Sequence, residues 1–170
     1  MQLQGYKPLM RKSEIGYTLI EILVGVTILG LFFSFGFASF RDFSRRQALS
    51  GTAKQVQGDL RLAQQQALSG KKPIGEECNS PDVLNSFGFR VVDSTSYSVR
   101  ANCSGGSVVI KDVTLPSGIT ISVPSPNPIR FKVLGQGTFI TSGETATLTL
   151  TQVGTGNQAT ITVTSGGEIK

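Results

Sequence analysis

Hydrophobic and polar positions follow three different rules along this chain, and each rule predicts a different element. From Tyr17 to Phe40 the run is apolar except for one charge, Glu21, and a few small or hydroxyl residues. These 24 residues would make about 36 Å of helix, enough to cross a hydrocarbon core of about 30 Å. Farther on, Leu49, Ala53, Val56, Leu60, Ala63 and Ala67 are spaced four and three apart, which traces one stripe on a helix. Arg45, Arg46, Lys54, Gln57, Arg61, Gln64 and Gln65 surround it. No proline lies between Pro8 and Pro73, so one helix is predicted through both patterns, stopping at Ser69-Gly70. Such a helix, about 80 Å long, exceeds what one small domain covers. Its first half must therefore meet lipid or other chains.

From Phe87 onward the period shortens to two. "FGFRVV", "SYSVRA", "SVVIKDVTL", "ITISV", "IRFKVL", "ATLTLTQ" and "ATITVTS" are rich in β-branched residues and predict strands. Gly- and Pro-containing turns separate them, among them "SGG" at 104–106, "PSPNP" at 124–128 and "GTGN" at 154–157. The Thr-rich segments suit strands with one face in water. The fold class is α+β: a long N-terminal helix, its first half transmembrane, its second half packed on an antiparallel sheet. The divisions are residues 1–16, a polar start; 17–40, the apolar span; 41–70, the amphipathic continuation; and 71–170, a β-rich globular domain.

Composition narrows the function. The net charge of +5 raises the question of nucleic acid, but residues 71–170 hold eight basic and seven acidic side chains. A nearly neutral domain neutralises few phosphates, so nucleic-acid binding is not expected. The chain has no His, which removes the commonest general base and the commonest zinc ligand. Nothing resembles a catalytic triad, a phosphate-cradling loop or a metal cluster, so no enzyme activity, metal or cofactor is expected. The adjacent Glu76 and Glu77 predict a solvated turn rather than a calcium site. Cys78 and Cys103 form an even, small count that favours a disulfide over a metal site in an exported domain. The alternative for them is two buried free thiols.

Glu21 needs a reason, because a lone carboxylate at mid-bilayer costs about 2.5–3.5 kcal/mol on insertion scales. In a plain membrane anchor, Thr18 and Glu21 would form an S/T-x-x-E capping box at headgroup level, with the acid favoured by the helix dipole. As a secretory signal, the basic start and apolar run would end in a cut after Ala38. The run is too long for that and carries a charge.

The third reading comes by resemblance. Gly16-Tyr17-Thr18-Leu19-Ile20-Glu21 resembles the cleavage and methylation motif of type IV prepilins and type II secretion pseudopilins. A long apolar helix and a β-rich domain follow it, as in that family. The resemblance implies a leader of residues 1–16, cleavage between Gly16 and Tyr17, N-methylation of Tyr17, and an assembly role for Glu21. Tyr17 stands where Phe is commonest. Cutting there creates an α-amine beside lipid, and the Glu21 carboxylate of one subunit could neutralise the Tyr17 amine of its neighbour in a filament core. The implied partners are other pilin or pseudopilin subunits, a prepilin peptidase/methyltransferase and an inner-membrane assembly platform. Basic residues flank the apolar run equally, with Lys7, Arg11 and Lys12 before it and Arg41, Arg45 and Arg46 after it. The resemblance places the leader in the cytoplasm and the C-terminal domain outside, where cysteines oxidise.

Within that family the remainder resembles H-type minor pseudopilins and FimT-type minor pilins. "LRLAQQQA" at 60–67 resembles their Leu-x-x-Ala-Arg-x-x-Ala helix end, with Gln64 in place of Arg. "IRFKVLGQGT" at 129–138 resembles their Phe-x-Pro-x-Gly segment, with Val133 in place of Pro. "SGGEIK" resembles their closing Gly-Arg strand, with Glu168 in place of Arg. The implied function is a structural subunit of a type IV pilus or type II secretion pseudopilus. The alternatives are a membrane-tethered or secreted β-domain binding module, or a DNA-binding minor pilin.

Overall fold

The computed structural model describes residues 16–170, without the side chains of 34–39 and of Glu76. The chain divides into two compact units, the first ending at Arg41 and the second running Asp42–Lys170. Helix α1, Leu19–Ser69, contributes to both.

In the first unit the helix starts at a cap. Thr18 takes the N-cap position: its Oγ1 accepts the Glu21 amide at 3.3 Å, and its carbonyl accepts the amides of Glu21 and Ile22. This is the hydroxyl half of the predicted capping box. The apolar side chains that follow point outward all round, and even the least exposed of them, Val24 and Ile28, are 49 % accessible. Among the described residues no helix is long and apolar enough to cross a membrane. The described apolar stretch of α1 runs from Leu19 to Phe33, about 22 Å at helical rise, and the side chains of 34–39 lie outside the description.

The second unit holds α1 from Asp42 and seven strands. They are β1 (Leu84–Asp93), β2 (Ser96–Cys103), β3 (Gly106–Thr114), β4 (Ile119–Ile121), β5 (Ile129–Lys132), β6 (Thr145–Gln152) and β7 (Gln158–Thr164). All pairings are antiparallel. The single expected sheet is two: four strands in the order β3-β2-β1-β5 and three in the order β4-β6-β7. The division falls at "PSPNP", whose three prolines offer no ladder N–H. There Asn127 substitutes its side chain for a strand residue: Oδ1 accepts the Val91 amide at 3.1 Å and Nδ2 donates to the Val91 carbonyl at 2.9 Å.

Both sheets bury their inward residues with α1 in one core. Phe87, Phe89, Val99, Ile129 and Phe131 come from the larger sheet, Ala146, Leu148, Leu150, Ile161 and Val163 from the smaller. The Thr faces of β6 and β7 pair across the strands, Thr145 with Thr164, Thr147 with Thr162 and Thr149 with Thr160, on the wet side. On α1, Leu49, Val56, Leu60, Ala63 and Ala67 are buried as the stripe predicts. Two polar residues share that buried side, Thr52 and Asp59. Thr52 donates to the Ala48 carbonyl at 2.9 Å, which satisfies its hydroxyl within the helix. The helix ends where expected: Gly70 has φ +60°, a left-handed conformation that glycine adopts without a Cβ penalty.

Candidate functional site

The residues singled out by the sequence lie in separate places. Gly16 and Tyr17 precede the helix and are exposed, Tyr17 at 78 %. Glu21 sits in the first turn of α1, also exposed, next to an apolar surface that the first unit itself does not cover. A carboxylate in that position favours the positive end of the helix dipole. It can also accept a cation brought by another chain. Of the expected leader, residues 1–16, all but Gly16 lie outside the described residues.

Cys78 and Cys103 form a disulfide, with Cα atoms 5.4 Å apart. It ties the 3-10 turn Glu76–Cys78 to the end of β2, and both cysteines are buried. Glu77 lies in that turn, exposed, with its stem against Gly106. Among the described residues no group of three or more His, Cys, Asp or Glu could hold a metal ion.

A buried polar cluster was not foreseen. Asp59 of α1 accepts a hydrogen bond from the Tyr97 hydroxyl at 2.8 Å. The Lys111 ammonium donates to both of its carboxylate oxygens, at 2.7 and 3.0 Å. The cluster links α1 to β2 and to β3. Burial, reinforced by the hydrogen bond and negative charge of Asp59, pushes the Tyr97 hydroxyl far above its ordinary range. The signal in the sequence was an acid three residues after Val56 and four before Ala63, on the flank of the apolar stripe. Its partners are 38 and 52 residues away, beyond any local pattern.

The three segments that carry the subgroup resemblance meet at one junction. Gln64 donates from Nε2 to the Gly167 carbonyl at 2.9 Å. Thr138 donates to the Ser165 carbonyl both from its amide, at 3.1 Å, and from its hydroxyl, at 2.9 Å. Gly137, at φ +79°, comes so close that an added Cβ would lie 3.0 Å from that same carbonyl oxygen. The helix end, the "GQG" turn and the closing tail are thereby locked together. Glu168–Lys170 then pairs back along β7, with Thr162 and Thr164. The arrangement directs its polar side chains to backbone carbonyls of neighbouring segments. It can fix surfaces in place.

A family model described as Type II transport protein GspH matches residues 52–167. That span covers more than half of the chain and includes Asp59, the disulfide, the first two segments of the junction and the closing tail as far as Gly167. The chain belongs to the GspH family, a family of minor pseudopilins. Neither the curated proteins nor the solved structures yield a match. The matched span starts after the apolar part of α1 and does not reach Gly16–Glu21.

Proposed function

We propose that this chain is a minor pseudopilin that enters the filament of a type II secretion system. The observation that carries the reading is an apolar helix with every large side chain from Leu19 to Phe33 turned outward, joined to a GspH-type domain. Such a surface is stable only in lipid or among other apolar helices. In the proposed sequence of events, residues 17–40 hold the subunit in the inner membrane with its leader in the cytoplasm and its β-domain outside. A prepilin peptidase cuts between Gly16 and Tyr17, and the new amine of Tyr17 is methylated. An assembly platform then moves the subunit into a filament, where residues 17–40 pack against other pseudopilins. Glu21 meets the Tyr17 amine of a neighbour, and each charge cancels the other's cost in an apolar core.

The intact mass of the protein, isolated from membranes of cells carrying the secretion system, tests this reading. The expected mass lacks residues 1–16 and carries one added methyl group. An uncut start, or a cut after Ala38, would instead favour a tethered or secreted binding module.

A further inference from the structure

The two sheets have four outer edges, and three are protected. The edge of β5 is taken by the following chain: the Phe139 amide donates to the Arg130 carbonyl at 3.0 Å and the Lys132 amide to the Gly137 carbonyl at 2.9 Å. The edge of β4 is met by Ser94, whose carbonyl accepts the Ile121 amide at 2.8 Å. Strand β3 is guarded differently. Its pairing with β2 shifts register beside Arg100, leaving Ile110 as an extra residue, and Lys111 points inward to Asp59. A bulge and an inward charge are two of the devices that keep an edge from pairing.

The edge of β7 is only half covered. The Lys170 and Thr162 amides each donate to the other residue's carbonyl at 3.0 Å, and the Thr164 amide donates to Glu168, so the outward ladder is occupied there. It stops at Thr162. Two residues earlier, Thr160 faces the same way, and its cross-strand partner Thr149 shows why. The amide of Thr149 donates to Ser122 Oγ and its carbonyl accepts the Ser122 amide, both toward β4. Thr149 and Thr160 are therefore a non-hydrogen-bonded pair, and the amide and carbonyl of Thr160 are directed away from β6. Neither has a backbone or side-chain partner among the described residues.

Beside this open edge runs a groove of about 470 Å3 between β7 and α1. Arg46 and Lys54 of α1 and Lys170 of the tail line it, and no acidic side chain does. Lys170 is already paired with Glu168 at 3.2 Å, so the groove's unbalanced positive charge comes from Arg46 and Lys54. Its floor is apolar, with Leu49 and Ile161 buried.

We propose that the open edge of β7 at Gln158–Thr160, with the basic groove beside it, binds an acidic extended segment of a partner protein as an added strand. The ladder groups of Thr160 supply main-chain hydrogen bonds and the groove reads alternate side chains. Arg46 and Lys54 select carboxylates, attract the segment before contact and repel basic strands. A protein strand suits the site better than nucleic acid, because the outward amide and carbonyl of Thr160 continue the ladder direction already used by Thr162 and Thr164, whereas two unpaired cations neutralise few phosphates. The inference does not depend on filament entry.

Fluorescence anisotropy on the full chain in detergent micelles, with a labelled nine-residue peptide alternating Val and Glu, tests it. The peptide should bind at low salt, and its counterpart with Lys for Glu should not. Affinity should fall at least tenfold in Arg46→Glu/Lys54→Glu. It should fall as far in Thr160→Pro, which removes the outward amide without touching charge and is tolerated at an edge. In the unsubstituted chain, peptide binding should slow hydrogen exchange of the Thr160 amide at least tenfold, a readout that needs no variant to fold. No binding, unchanged Thr160 exchange with peptide bound, or tighter binding of a single-stranded oligothymidylate would each overturn the proposal.

Discussion

Asp59 is 6 % exposed and its carboxylate takes three hydrogen bonds from two elements. Lys111 is the outer member, its side chain 41 % exposed against 8 % for Asp59, so the two are not equivalent. Removing the lysine strands a buried carboxylate, whereas replacing the acid by an amide keeps an acceptor for Tyr97 and frees the ammonium to water. Lys111→Met should therefore cost about 2 kcal/mol, less than for a fully buried pair because solvent screens the lysine. Asp59→Asn should cost about 1 kcal/mol. Denaturant unfolding of both variants checks the order, and Asp59→Asn as the more damaging would contradict it. Tyr97 adds a pH dependence. An unfolded tyrosine loses its proton near pH 10, while the folded Tyr97 holds its proton well beyond that. Its stabilising contribution is thus complete below pH 10 and drains away as pH rises toward the folded value. Tyr97→Phe should be about 1 kcal/mol less stable at pH 7, yet lose stability less steeply from pH 10 upward. Parallel pH profiles would refute the assignment.

At the scale of elements, each strand is legible in its own alternation, and all seven predicted segments overlap an observed strand. Partner choice is not legible. Strand β4 passes over its neighbour β5 to join β6, and nothing within "ITISV" says so. The helix was readable as a stripe because burial repeats every three to four residues. Thr52 and Asp59 escaped because a polar residue on a buried side is explained only by partners the local pattern does not show. The cysteine pair was readable from number and compartment, and its place was not. With the two positions 25 apart in sequence, the chain-entropy model gives the disulfide about 3–4 kcal/mol. Cys78→Ser/Cys103→Ser should lower unfolding stability by about that amount, and the unsubstituted chain under strong reductant should match it. A loss below about 1 kcal/mol would place the stability of this corner in the packing of the 3-10 turn instead.

For the whole molecule, the two ends of the sequence spoke with different clarity. The Gly16–Glu21 motif is short and sharp, and the chemistry proposed for it lies between chains, whereas a single subunit displays only exposed residues and a capped helix. The subgroup resemblance looked faint because Gln64, Val133 and Glu168 depart from the pattern. Even so, Gln64 still reaches the closing tail, through the Gly167 carbonyl. The proposed function turns on Glu21 providing the counter-charge for a neighbouring amine. The direct measurement is the share of correctly trimmed subunit found in purified filaments for Glu21→Ala against the unsubstituted chain. The expected result is normal trimming and at least a tenfold loss from filaments. Equal incorporation of the two would contradict it.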